Sequence, residues 1–178
     1  MLHQMISAGF GGQGVLLLGQ LLAYSGMNEG KNVSWLPSYG PEMRGGTANC
    51  TVIISDEEIG SPVVVDADCV VAMNRPSLDK YENNVAPGGK LFINSSLIDQ
   101  KAKRTDIEVY YIPCNEIADQ LGNSRVANIV MLGAYLKKTG VVKPETLIKC
   151  LEEKLGKKKA HLIPMNEEAL KKGAECVD

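Results

Sequence analysis

At 178 residues the chain suits one domain, residues 1–178, with a sizeable hydrophobic core. A hydrophobic content of 44%, a charged content of 22% and a net charge of −2 describe an ordinary soluble globular protein. That balance excludes non-specific nucleic-acid binding as the main function, because such binding is driven by a basic surface. No stretch approaches the roughly 18–20 consecutive apolar residues that span a bilayer, and the chain starts without a basic signal-like segment, so a cytoplasmic protein is expected. The five cysteines are spread along the chain without a C-x-x-C pair. They form no disulfide, zinc or iron–sulfur framework, and Cys50 and Cys69 read as small core residues. His3 and His161 are isolated, so no metal ligand set is expected.

The first element is a strand from Gln4 to Ala8. It runs into Gly9-Phe10-Gly11-Gly12-Gln13-Gly14, and an apolar helix from Val15 to Met27 follows. Strand, glycine loop and helix are the parts of a phosphate cradle. The glycines let backbone N–H groups approach an anion, and the helix N-terminus adds partial positive charge. Gly9, Gly11 and Gly14 fit G-x-G-x-x-G, although the same pattern also builds a ligand-free tight turn. Val15, Leu18 and Leu22 share a helical face, with Leu17 and Leu21 beside them, so this helix packs on a sheet. Gly19 permits close approach. After a turn at 28–31, Asn32 to Leu36 reads as a second strand, completing a β-α-β unit.

A dinucleotide site places an acid on the ribose, at the end of the second strand and about 20 residues past the loop. Here that strand ends in Leu36-Pro37-Ser38, and Glu29 falls in the preceding turn. The glycine loop therefore lacks a ribose reader. Residues 37–46, PSYGPEMRGG, form a loop dense in proline and glycine at a strand's carboxyl end, where open α/β sheets bind ligands. It carries Ser38, Tyr39, Glu42 and Arg44; an exposed Glu42–Arg44 pair is the plainer alternative.

Thr47 to Ser55 reads as a strand, and Ile59 to Pro62 as a short antiparallel return. Asp68 to Asn74 reads as a buried parallel strand. Asp66 and Asp68 precede it, at the opposite sheet edge, so a paired-carboxylate catalyst is not expected. A helix follows from Arg75 to about Asn83, then a turn at Pro87-Gly88-Gly89 and a strand from Lys90 to Asn94. Asn94-Ser95-Ser96 reads equally as ligand-edge polar groups or as turn capping. A strand at Glu108 to Ile112 precedes a short helix at Asn115 to Leu121. Asn123-Ser124-Arg125 caps a longer helix from Val126 to Lys138, stopped by Gly140. That helix is apolar over most of its circumference, which places it between the sheet and another surface, such as another subunit. Pro144 opens a helix to about Leu155, Lys157–Lys159 is a basic turn, and a last helix runs from Asn166 to about Cys176 with Glu167-Glu168 in its first turn.

GFGGQGV after the first strand, WLPSYGPEMRGGTANCTVIIS and GNSRVANIVMLGAYLKKTG together resemble the gamma subunit of 2-oxoacid:ferredoxin (acceptor) oxidoreductases, over nearly the whole chain. SYGPEMRGG is more similar to the 2-oxoglutarate and branched-chain 2-oxoacid members than to the pyruvate ones. The expected fold is α/β, three-layer, a mostly parallel (mixed) sheet flanked by helices with a Rossmann-like start. The resemblance implies oxidation of a 2-oxoacid with coenzyme A to acyl-CoA, carbon dioxide and reduced ferredoxin, with 2-oxoglutarate favoured. Thiamine diphosphate, Mg and Fe-S clusters are implied on partner chains, namely alpha, beta and a ferredoxin-like delta subunit. The isolated chain is then expected to be inactive and to position coenzyme A. Gly9, Gly11, Gly12, Gln13 and Gly14 would meet its phosphates, and Ser38, Tyr39 and Arg44 would shape the pocket. A stand-alone nucleotide-binding oxidoreductase and a purely structural subunit are the alternatives.

Overall fold

The computed structural model describes residues 1–39 and 47–178. Its strands are β1 (Leu2–Phe10), β2 (Asn32–Tyr39), β3 (Thr47–Ser55), β4 (Ala67–Ala72), β5 (Val85–Asn94) and β6 (Glu108–Ile112). Its α-helices are α1 (Val15–Asn28), α2 (Arg75–Tyr81), α3 (Cys114–Gln120), α4 (Ala127–Thr139), α5 (Pro144–Leu155) and α6 (Ile163–Glu175). The six strands form one sheet in the order β2-β3-β1-β4-β5-β6. β1, β4, β5 and β6 pair in parallel, whereas β3 is antiparallel to both β1 and β2. The α/β, mostly parallel architecture expected from the sequence is therefore present.

The connection from β1 through α1 to β2 also follows expectation, and β1 and β2 point the same way. They are not neighbours, however, because β3 lies between them. β3 pairs along its whole length with both, from Leu2↔Ser55 to Phe10↔Thr47 and from Asn32↔Ser55 to Tyr39↔Ala48. β2 becomes an edge strand, and its Pro37 is tolerated there because an edge position can lack an N–H partner.

Several local expectations change. Residues 56–66 contain no strand, so the antiparallel return at Ile59–Pro62 does not form. Pro87-Gly88-Gly89 lies inside β5, where the pairing with β4 shifts register between Ala67 and Cys69. Lys157–Leu162 is a 3₁₀ helix and α6 starts at Ile163, with Pro164 in its first turn; Glu167 and Glu168 fall outside that turn.

The two sheet faces are covered unequally. One is packed by α1, α3, α4, α5 and α6 over a large core that includes Met5, Val52, Val71, Phe92, Leu132 and Tyr135. The other carries α2 and the irregular segments before β4 and β6, over Ile6, Ile53, Val70, Leu91 and Ile93. α4 is buried from Ala127 through Leu136. Its outer cover is this chain's own α6 rather than another subunit. The two helices cross where each presents a glycine. A Cβ on Gly133 would overlap the Leu170 carbonyl oxygen and stand 2.8 Å from its carbon, and one on Gly173 would overlap the Val130 carbonyl oxygen and stand 2.7 Å from that carbon. Gly19 works the same way between α1 and β3, where a Cβ would overlap Cys50 Sγ and stand 3.2 Å from Val52.

Backbone cannot yield as a flexible side chain can. Gly133→Ala and Gly173→Ala are each expected to lower stability by roughly 3 kcal/mol or more in denaturant titrations. Gly60→Ala is the control, since no atom lies within 4 Å of its added methyl group, and should stay within about 0.5 kcal/mol of the parent. Equal effects at all three positions would refute this account of the helix crossing.

Candidate functional site

β1 and β4 are parallel neighbours whose following helices leave on opposite faces: α1 joins the large core and α2 the small one. Their carboxyl ends therefore open a crevice of the kind in which open α/β sheets bind ligands. The glycine loop sits at that point. Gly12 has φ 96° and Gly14 has φ 75°, both in the left-handed region that side chains resist. Gln13 N–H donates to the Phe10 carbonyl at 3.1 Å, closing the turn.

Gly14 is the N-cap of α1 and brings no side-chain acceptor, and the first turn carries no acid. The leading amide groups of this helix of 14 residues are thus left to an outside acceptor. Gln13 folds back into the protein: its Oε1 accepts from Phe10 N–H at 2.6 Å, and its Nε2 donates to the Met73 carbonyl at 3.2 Å. It ties the loop after β1 to the loop after β4. Gly9 lies within β1, where a Cβ would stand 2.5 Å from Gln13 Oε1 and 3.0 Å from Met73 Cβ. Its place in the motif is explained by packing beneath the loop.

A cavity of about 240 Å³ is lined by Gly12, Gln13, Met73, Asn115, Ser124, Arg125 and Ala127. Arg125 is exposed and makes no ion pair among the described residues. Asn123 Oδ1 accepts from Arg125 N–H at 3.0 Å, so the expected cap forms and holds this turn. Just beyond, Asn128 Nδ2 donates to the Gly14 carbonyl at 3.2 Å, and its buried Oδ1 has no partner. Asn94 is a hub: its Nδ2 donates to the Met73 carbonyl at 3.3 Å and to Asn115 Oδ1 at 2.8 Å, while its Oδ1 accepts from Cys114 N–H at 3.3 Å. Ser96 Oγ accepts from Asn115 N–H at 3.1 Å and caps α3. The capping reading of Asn94–Ser96 thus holds.

The sequence-predicted residues divide. Gly11, Gly12, Gln13 and Gly14 are together at the crevice. Ser38 is exposed near the end of β2, opposite Asn49, and Tyr39 pairs in register with Ala48. Two strand spacings, about 10 Å, separate β2 from β1 at the same edge. Glu42 and Arg44 lie outside the described residues. Glu29 is occupied structurally, since its Oε1 accepts from Lys143 N–H at 2.7 Å at the start of α5. Arg125, Asn115 and Asn128 are the members that sequence reasoning did not place here. The available signal was a polar Asn-Ser-Arg run followed by an asparagine inside an otherwise apolar helix.

The opposite edge holds a second polar cavity, about 300 Å³, lined in part by His3, Asp68, Cys69, Lys90 and Lys138. Tyr135 Oη hydrogen-bonds His3 Nε2, and Asp68 Oδ2 accepts from Gln4 N–H at 2.8 Å. Burial pushes the Tyr135 hydroxyl well up and the Cys69 thiol up to about 12, so neither ionises near neutral pH. Burial also lowers the His3 pKa; Asp68 opposes that shift and Lys90 adds to it.

A family model described as pyruvate ferredoxin/flavodoxin oxidoreductase matches residues 4–176. The chain belongs to that family. It is 42% identical over 170 residues to ketoisovalerate oxidoreductase subunit VorA of Methanothermobacter thermautotrophicus, covering 94% of this chain and 35% of that one. The gamma subunit of keto/oxoacid ferredoxin oxidoreductase from Geobacter sulfurreducens superposes with TM-score 0.81 at 31% identity, covering 98% of this chain and 97% of that one. The 2-oxoglutarate:ferredoxin oxidoreductase of Magnetococcus marinus, with 2-oxoglutarate, coenzyme A and succinyl-CoA bound, superposes with TM-score 0.90 at 25% identity, over 98% of this chain and 31% of that one. The chain thus spans only about a third of the VorA relative's length. The gamma-type resemblance read from the sequence is upheld. Among the described residues, no helix is long and apolar enough to cross a membrane.

His3 gives a pH test. Its lowered folded pKa means that the unfolded state takes up a proton first as pH falls below 6.5. The neutral imidazole is therefore stabilising above that value, and the contribution is lost on acidification, at most about 1.4 kcal/mol per pH unit. His3→Gln should flatten the stability–pH curve between about pH 6.5 and 5 relative to the parent. Parallel curves from chemical denaturation would show that His3 does not titrate on unfolding.

Proposed function

We propose that this chain is the gamma-type subunit of a thiamine-diphosphate-dependent 2-oxoacid:ferredoxin oxidoreductase, and that its glycine crevice holds the phosphates of coenzyme A. The overall reaction converts a 2-oxoacid and coenzyme A to acyl-CoA and carbon dioxide, with two electrons passed to ferredoxin. The substrate is a 2-oxoacid of the 2-oxoglutarate or branched-chain kind, in line with the relatives described above. The observation that carries the reading is the uncapped N-terminus of α1 behind a glycine loop whose Gly12 and Gln13 line a cavity together with Arg125. Amides, helix charge and a guanidinium together suit an anion that approaches without a metal.

The same donor set does not suit thiamine diphosphate. Its magnesium ion needs hard oxygen ligands, and the lining residues include no carboxylate. Thiamine diphosphate, Mg and the Fe-S clusters are accordingly assigned to alpha, beta and delta-type partner chains, with ferredoxin reached through them. In this division the 178-residue chain is a single unit working in the cytoplasm and inactive alone. Backbone amides of Gly11, Gly12 and Gly14 orient the pyrophosphate, and Arg125 adds the balancing charge. Gln13 uses its backbone N–H on the Phe10 carbonyl and its side chain on the Met73 carbonyl, and so holds the loop in shape for the ligand. Ser38, Tyr39 and Arg44 remain candidates for the outer wall of the crevice.

In the assembled enzyme, Arg125→Ala should raise the coenzyme A KM by about 10–100-fold with kcat largely retained, the cost of one charge-assisted contact. Arg125→Lys should recover part of the loss. An unchanged KM in a correctly assembled complex would remove coenzyme A from this crevice. Micromolar binding of a nicotinamide or flavin nucleotide to the isolated chain would instead favour a stand-alone oxidoreductase.

A further inference from the structure

The thinly covered sheet face carries an apolar patch beside its edge strand. Leu36 of β2 is 44% exposed, and Val63 and Val65 of the segment before β4 are 62% and 65% exposed. The strand and the segment are tied together on this face. Leu36 pairs in register with Thr51, and Thr51 Oγ1 donates to the Pro62 carbonyl at 3.4 Å. Val64, between the two exposed valines, is turned into the core under this face. The segment is held in place: Val63 N–H donates to Ser61 Oγ at 3.2 Å, and Asn84 Nδ2 donates to the Val65 carbonyl at 3.0 Å. Val63 and Val65 are therefore presented outward by a pinned backbone.

Acids flank the valines in sequence. Glu57, Glu58 and Asp66 are exposed and have no ion-pair partner among the described residues, whereas Asp56 is paired with Lys31. An apolar centre with a charged rim is the layout of a protein–protein contact. The sign of the rim selects the occupant. A second copy packed through the same patch would set these carboxylates against each other, which disfavours a symmetric contact. A partner of apolar centre and basic rim meets both features. Polypeptide to fill the role exists in the longer relative, in which this domain makes up 35% of the chain.

We propose that Leu36, Val63 and Val65, with the acidic rim of Glu57, Glu58 and Asp66, form the surface on which a companion subunit of the oxidoreductase docks through a basic-rimmed apolar patch. This rests on the gamma-subunit reading above. The test uses the remaining subunits of the complex, co-purified and titrated with tagged forms of this chain. Val63→Asp/Val65→Asp should weaken association at least tenfold while the isolated chain melts like the parent. Glu57→Lys/Glu58→Lys should weaken association at low salt and reduce its salt dependence.

Association of both double variants with parental affinity overturns the proposal and leaves the subunit reading intact. A parent chain that binds no thiamine-dependent subunit overturns both. An isolated parent chain that is a dimer, which Val63→Asp/Val65→Asp makes monomeric with no effect on complex formation, assigns the patch to a second copy and also overturns it.

Discussion

The crossing of α4 and α6 is the constraint on which the candidate site depends. At Gly133 and Gly173 each helix occupies the space a side chain would need on the other. The contact is backbone on backbone, so neither helix can slide without losing it. Asn128 and Gly133 lie on the same helix, about 7.5 Å apart along its axis. The crossing therefore sets where Asn128 meets the Gly14 carbonyl and where the turn bearing Arg125 enters the crevice. A packing contact in the largest core thus determines the position of the one cation lining the crevice among the described residues.

Much of the framework was legible because it rests on local signals. Strand, glycine loop and apolar helix announce β1 and α1, and Gly140 stops α4 in the left-handed conformation as expected. Gly19 was readable as a site of close approach before its neighbours Cys50 and Val52 were known. What escaped was long-range. No pattern within residues 32–55 says that β3 inserts between β1 and β2, since antiparallel pairing on both sides is a matter of partners rather than periodicity. Arg125 read as helix capping because its local role is just that. Its second role comes from a loop more than a hundred positions earlier in the chain. The start of α6 was misplaced because the proline that opens it, Pro164, was passed over in favour of the later acidic pair.

The two faces of the sheet have different roles. Five helices stack on one face, and the apolar residues they leave exposed are few: Tyr24 and Met27 stand on α1. The other face has one short helix and two irregular segments, and these rely on specific polar ties. Glu82 Oε1 accepts from Arg104 N–H at 3.0 Å, and the Arg104 guanidinium donates to the Val85 carbonyl. Such ties fix a thin layer without thickening it. On the thin face Leu36, Val63 and Val65 stay exposed, the surface proposed above for a companion subunit.

The chemistry of the crevice argues for holding a reactant rather than transforming it. Its lining side chains are amides, a hydroxyl, a thioether and a guanidinium, together with glycine and alanine. None of these exchanges a proton near neutral pH unaided, and general acid–base work needs a group that does. Cys50 and Cys69 offer no substitute, because burial raises their pKa values to about 12, far from the thiolate that attacks. The nearby polar hub is Asn94, whose amide serves the protein at both ends. A surface so supplied with fixed donors, and so poor in titrating groups, lowers the energy of a bound anion without engaging its bonds. On the proposed reading, bond making and breaking fall to the partner chains, where coenzyme A would project beyond the crevice at the sheet edge.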